Sequence, residues 1–85
     1  MPYYHLAVVT PQGRSYDGDV IHALVPGETG FVGVLANHAP FVTSSAGGRL
    51  EITEKEGLVK KFTVGPGFFE VMDNQAVLLT QSFKA

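Results

Sequence analysis

Apolar residues recur at spacing two along most of this chain, in short runs punctuated by glycine, proline and Asp-Asn. "HLAVVT" puts Leu6 and Val8 on one side and His5, Ala7 and Val9 on the other, and "PQG" ends it. In "RSYDG", Asp17 and Gly18 suit a turn or bulge before the next strand. "DVIHALVP" is apolar on both faces, Val20 and Leu24 alternating with Ile21, Ala23 and Val25, so its second face needs a cover. "GETG" is a tight turn, and "FVGVL" resumes the extended pattern.

Gly47-Gly48 signals a hairpin into "RLEIT", where Leu50 and Ile52 oppose Arg49, Glu51 and Thr53. After the polar turn "EKEG", "LVKKFTV" places Leu58, Phe62 and Val64 on one face with Lys60, whose charged tip can snorkel outward. "GPG" at 65–67 breaks the chain, because proline brings no donor to a central ladder. "FFEVM", the turn Asp73-Asn74 and "QAVLLT" make a last hairpin. About eight to ten short strands predict a single all-β domain over residues 1–85, a two-layer sandwich or flattened barrel. The chain shows no long helix, linker or repeat.

Composition narrows the partners. The chain has 85 residues, enough for one modest core and too few for two. Six basic residues against eight acidic ones leave no positive excess for phosphates, so nucleic acid is not an expected partner. The absence of cysteine rules out disulfides and thiolate metal sites. No run approaches the ~18 apolar residues of a membrane span, and "MPYYHLAVV" lacks the basic start and cleavage site of a secretion signal.

Candidate chemistry is sparse. Gly27, Gly30 and Gly33 are spaced G-x-x-G-x-x-G, which matches neither the dinucleotide nor the nucleoside-triphosphate loop, and they read as turn residues. His5, His22 and His38 form no metal-ligand pair, and His38 with Ser44 or Ser45 has no nucleophile elbow or orienting carboxylate, so neither metal, cofactor nor catalysis is expected. In "LANHAPFV", Asn37 tolerates the left-handed region and Pro40 holds Ala39 extended, which predicts a rigid corner displaying His38.

"PGETGFVGVLANHAPFV", with "GRLEI", "KFTVGPGFFEV" and "YHLAVVTP", resembles the amino-terminal β-sandwich domain of the epsilon subunit of F-type ATP synthase, called delta in mitochondria. The likeness runs from Tyr4 to about Thr80. It implies a flattened sandwich of about ten strands in the rotating central stalk. It also implies no catalysis of its own, binding to the gamma subunit, and one end resting on the polar loops of the c-ring. By position, Glu28, Thr29 and Phe31 would face the c-ring, and Thr10, His38 and Thr43 would lie near gamma. The doubly apolar strand adds Ile21 and Leu24 to the expected gamma face, with aspartate at either weakening that binding.

Departures refine these expectations. Phe31 stands where the family usually carries an acidic residue, so an apolar contact or a neighbouring carboxylate such as Glu28 must serve there. Ala36 replaces a common proline, and "GPG" replaces S-G-G. Family members commonly continue into a carboxy-terminal helical hairpin, whereas the sequence read here ends at "QSFKA". Without those helices, self-inhibition and ATP sensing are not expected. The resemblance implies coupling of proton- or sodium-driven ring rotation to ATP synthesis. It also implies a peripheral place on the cytoplasmic face of a bacterial inner membrane, or the stroma or matrix side in an organelle, with membrane contact only through the complex. The alternative from the residues alone is a free-standing ligand-binding β-domain, which requires a concave pocket with converging polar groups.

Overall fold

A computed structural model describes residues 1–85 as nine strands and no helix. They are β1 (Tyr4–Thr10), β2 (Gly13–Pro26), β3 (Phe31–Leu35), β4 (Phe41–Ser45), β5 (Gly48–Glu54), β6 (Val59–Val64), β7 (Gly67–Met72), β8 (Gln75–Thr80) and β9 (Phe83–Lys84). The hydrogen-bonded order is β4-β7-β8-β1-β2-β5-β6-β9, with β3 paired to β2. All pairs are antiparallel except β1 with β8.

Alternation decides which residues enter the core. Leu6 and Val8 of β1, Leu50 and Ile52 of β5, Phe69 and Val71 of β7, and Ala76 and Leu78 of β8 are buried in one cluster with Val34 and Val64. Full burial of each large side chain is worth about 1.5–3 kcal/mol. Because residues from both ends of the strand order meet in this cluster, the sheet closes on itself as two layers. Tyr4 Oη crosses the core and donates to the carbonyl of Val34 at 2.9 Å.

The two layers share β2. Its first half pairs with β1, from Gly13 opposite Thr10 to Val20 opposite Tyr4. The second half pairs with β3 on one side and β5 on the other. Fourteen residues held straight would span about 45 Å, whereas the longest axis of the molecule is 31 Å. The strand must therefore bend, and the register shows where. Val20 and His22 face consecutive residues of β5, Glu54 and Thr53, so Ile21 is the extra residue of a β-bulge.

That bulge corrects the reading of the doubly apolar segment. Val20, Ala23 and Val25 all point inward because the phase slips at Ile21; Ile21 and Leu24 are half-buried. Asp17 and Gly18 form no turn and lie within β2, so one long strand replaces two short ones, and the count of nine falls within the eight to ten expected. Leu58 is exposed ahead of β6, while Phe62 and Val64 face inward as expected. Gly67 is the first residue of β7 instead of part of the break.

Candidate functional site

The register assembles a surface that no single segment reveals. On the outer face of β4, β7, β8 and β1, Ser44, Phe68, Leu79 and Val9 lie opposite one another in one row. The next row is Val42, Glu70, Val77 and Ala7. Phe68, Leu79 and Val42 are 61%, 51% and 66% exposed, so three large side chains lie wet where a soluble sheet normally carries polar ones. Glu70 is the only charge within the two rows. Met72, also exposed, extends the patch toward Gln75.

Beyond β1 the face turns charged. His5 sits between two carboxylates of β2, its Nε2 2.5 Å from Asp17 Oδ1 and its Nδ1 3.3 Å from Asp19 Oδ1. Arg14 pairs with Asp17 at 3.2 Å. These pairs are partly exposed and individually worth little, about 0–1 kcal/mol, but they give the apolar patch a polar border.

The β2–β3 turn lies beside the Ser44 end of the first row. Gly27 N–H donates to Gly30 O at 2.7 Å, and a side chain on Gly27 would drive into that same oxygen. Glu28 and Thr29 are exposed at the tip. The Ser44 hydroxyl donates to the Glu28 carboxylate and the Ser45 hydroxyl to Pro26 O, which ties the turn to β4. Phe31, 58% exposed, follows on the outer face of β3.

The residues expected near gamma are dispersed. Thr10 is buried, and its hydroxyl donates to Gly13 O and lies near Ser15 Oγ, holding the β1–β2 turn. Thr43 points toward the core on the edge strand β4. His38 lies at the far end from Thr10, where its Nδ1–H donates to Ala39 O at 2.7 Å and its ring meets Phe41 edge-on. Asn37 is left-handed, φ 65°, as the corner requires. Thr10, His38 and Thr43 thus border the apolar face, whereas Ile21 and Leu24 lie where β2 leaves for the other layer.

Two shallow depressions exist. One is lined by Asn37, His38, Pro40, Asp73 and Asn74, the other by Glu70, Met72, Asp73, Gln75 and Val77. In the first, the two asparagines pair with each other: Asn37 N–H donates to Asn74 Oδ1 at 2.6 Å and Asn74 Nδ2 donates to Asn37 Oδ1 at 3.1 Å. Elsewhere, Tyr16 Oη donates to Glu54 Oε2 at 2.6 Å and Lys60 Nζ lies 3.3 Å from the same oxygen. Burial, reinforced by Glu54, pushes the Tyr16 phenol up; the Tyr16 bond, with Lys60 behind it, holds Glu54 below the usual carboxylate range. This trio braces β2 against β5 and β6 and faces neither depression.

Sequence reasoning missed Phe68, Leu79, Val42 and Val77. The signal was present in the paired apolar residues Phe68-Phe69 and Leu78-Leu79, which place one member of each pair on the outer face.

Comparison with known proteins gives this surface a context. Residues 3–85 match the family described as ATP synthase, Delta/Epsilon chain, beta-sandwich domain. The ATP synthase epsilon chain of Leptospira borgpetersenii is 43% identical over 76 residues, covering 89% of this chain and 59% of that one. The chain therefore spans about three fifths of that relative. The ATP synthase epsilon chain of Chlorobaculum tepidum is 33% identical over 78 residues, covering 92% of this chain and 89% of its own length. A chain in the structure of the Euglena gracilis mitochondrial ATP synthase, OSCP/F1/c-ring, superposes with a TM-score of 0.89 at 23% identity, over 98% of this chain and 54% of that one, which supports the fold. With the match running over nearly its whole length, the chain belongs to the family of ATP synthase delta/epsilon chains, of which it is the β-sandwich domain.

Proposed function

We propose that this domain is a non-catalytic part of the central stalk of an F-type ATP synthase. It binds the gamma subunit and meets the c-ring loops, so that ion-driven rotation of the ring reaches the catalytic head. The observation that carries the gamma contact is the apolar row Phe68, Leu79 and Val9 with Val42 and Val77 beside it, on four neighbouring strands with one interior charge. Large apolar side chains on a flat sheet suit a lasting protein interface. Of the residues expected at gamma, His38 stands at one end of this face, buried Thr10 and inward-pointing Thr43 lie in strands that carry it without presenting side chains to a partner, and Ile21 and Leu24 lie off it.

The exposed tip Glu28–Thr29 with Phe31 is the ring-facing element of this reading. Because Ser44 holds Glu28, the tip presents a fixed carboxylate beside an aromatic ring, one suited to a basic side chain and the other to an apolar one. Localisation follows from the complex, on the cytoplasmic, stromal or matrix side. No helix is long and apolar enough to cross a membrane.

Titration with a cognate gamma subunit tests the reading. The unaltered chain should co-elute with gamma, and Phe68→Asp or Leu79→Asp should weaken binding at least about tenfold, as loss of a central anchor does. Leu24→Asp, on the other layer, should bind as the unaltered chain does. A folded chain that fails to associate, or Phe68→Asp binding at full strength, overturns it.

A further inference from the structure

The edge of β3 is open, and its backbone is arranged to accept another strand. Gly27 and Gly30 exchange a hydrogen bond across the turn, and bonded and non-bonded pairs alternate along an antiparallel ladder. Pro26–Phe31, Leu24–Gly33 and His22–Leu35 are therefore the non-bonded pairs; Pro26, with no N–H, requires this phase. The N–H and C=O groups of Phe31, Gly33 and Leu35 consequently point away from β2, toward the side where no strand pairs.

The sequence of that edge, F-V-G-V-L, reads nearly the same in both directions about Gly33. We propose that the β3 edge pairs antiparallel with the β3 edge of a second copy of this chain, with the two-fold axis at Gly33. In that register Phe31 faces Leu35 of the other copy, Gly33 faces Gly33, and each opposed pair exchanges two N–H···O bonds, six in all. The same parity puts both exposed Phe31 and Leu35 side chains on one face, around two glycines that leave the rings room. Neither a charged side chain nor a proline guards the strand, the two devices by which exposed edges are usually kept from pairing. β4, also uncharged, has no such self-complementary order in F-V-T-S-S.

Five residues of edge per copy make a contact smaller than a standard interface, so the dimer is weak and reversible. The pairing does not depend on the rotor reading. One consequence does: a dimer hides Phe31, so assembly with ring loops and self-pairing would exclude one another.

Sedimentation equilibrium from low micromolar to about 1 mM should show a monomer–dimer equilibrium, and hydrogen exchange should slow at the amides of Phe31, Gly33 and Leu35 as concentration rises. Gly33→Pro is the decisive variant, because the Gly33 N–H makes no bond within the chain; dimerisation should weaken more than tenfold with the circular dichroism unchanged. If that variant fails to fold, Leu35→Lys places a charge in the same contact and should have the same effect. A chain monomeric throughout, or a dimer that ignores these variants, overturns the proposal. A dimer lost in Phe68→Asp but kept in Gly33→Pro does so too, by locating the contact on the other layer.

Discussion

A methyl group on Gly67 should cost this domain a large part of its stability. Its Cβ would stand 1.7 Å from Leu79 O, 2.8 Å from Leu79 C and 2.9 Å from Thr80 Cα, all backbone atoms of β8. Nothing there can rotate aside. To reach the 3.0 Å below which real Cβ contacts essentially do not occur, the strands must part by 3.0 minus 1.7, or 1.3 Å, at this end. That separation strains the Gly67–Thr80 pair, the bond from Gln81 N–H to Pro66 O and the bond from Thr80 Oγ1 to Gly65 O. Two or three net hydrogen bonds at about 1 kcal/mol each, with buried Thr80 partly uncovered, predict a loss of about 2–4 kcal/mol for Gly67→Ala. A domain of this size has only about 4–13 kcal/mol in total. The thermal midpoint should fall by roughly 10–30 °C, followed by circular dichroism. Gly33→Ala is the control: its Cβ lies 3.5 Å from His22 Nε2, an ordinary contact, and it should stay within about 0.5 kcal/mol of the parent. Equal midpoints for the two variants would refute the geometric argument.

Other consequences are smaller or conditional on pH. Tyr4→Phe removes the hydroxyl that crosses the core but leaves Val34 O its place in the ladder, so urea denaturation should report a loss of about 0.5–1.5 kcal/mol. Burial raises Tyr4 and Tyr16 above the ordinary phenol value, so the folded state holds protons that the unfolded chain releases, and stability is complete below about pH 10 and falls above it. The limiting slope is about 1.4 kcal/mol per pH unit per tyrosine, less for half-exposed Tyr16, and a flat profile to pH ~11.5 would contradict it. Glu54 is depressed, so its contribution is present above the ordinary carboxylate range and is lost as pH falls through its lowered value. In Tyr16→Phe the Glu54 carboxyl, followed by carbon NMR, should titrate at higher pH than in the parent; an unchanged titration would remove the phenol as the cause.

Strands with one wet face were legible because their alternation is unbroken. "RLEIT" and the inward residues of "QAVLLT" lie where a period of two puts them, and Asn37 takes the left-handed turn that its short amide permits. What escaped was register, which no local pattern contains. Phe68, Leu79 and Val9 are far apart in sequence and become one row only when β7, β8 and β1 align, the last pair in parallel. Thr10, which the resemblance put near gamma, is buried with its hydroxyl bonded to Gly13 O and near Ser15 Oγ, contacts that exist only once the β1–β2 turn closes. The clasp of His5 by Asp17 and Asp19 likewise follows from the pairing of β1 with β2 and from nothing in the spacing of the histidines.

The apolar segment 20–25 can be tested most directly by deletion. Removing Ile21 leaves Val20, His22, Ala23, Leu24 and Val25, an in-out-in-out-in order with the inward and outward residues of the native strand unchanged. If side-chain alternation alone specified β2, the deletion would be mild. The physical role assigned to the bulge is different: it supplies the bend by which one strand leaves β1 and joins β3 and β5. A straight strand carries Ala23 and Val25, together with their ladder neighbours Val34 and Ile52, away from Leu6, Phe69 and Leu78 of the first layer, so each layer loses its cover on the core, and the deletion should abolish cooperative unfolding. Ile21→Ala keeps the residue count and the bend; it should cost about 1 kcal/mol, modest because the side chain is only half-buried. Amide NMR spectra of the two proteins distinguish the accounts. A well-dispersed spectrum and a midpoint for the deletion equal to that of Ile21→Ala would mean that the bend originates elsewhere in β2, and the extra residue would lose its role.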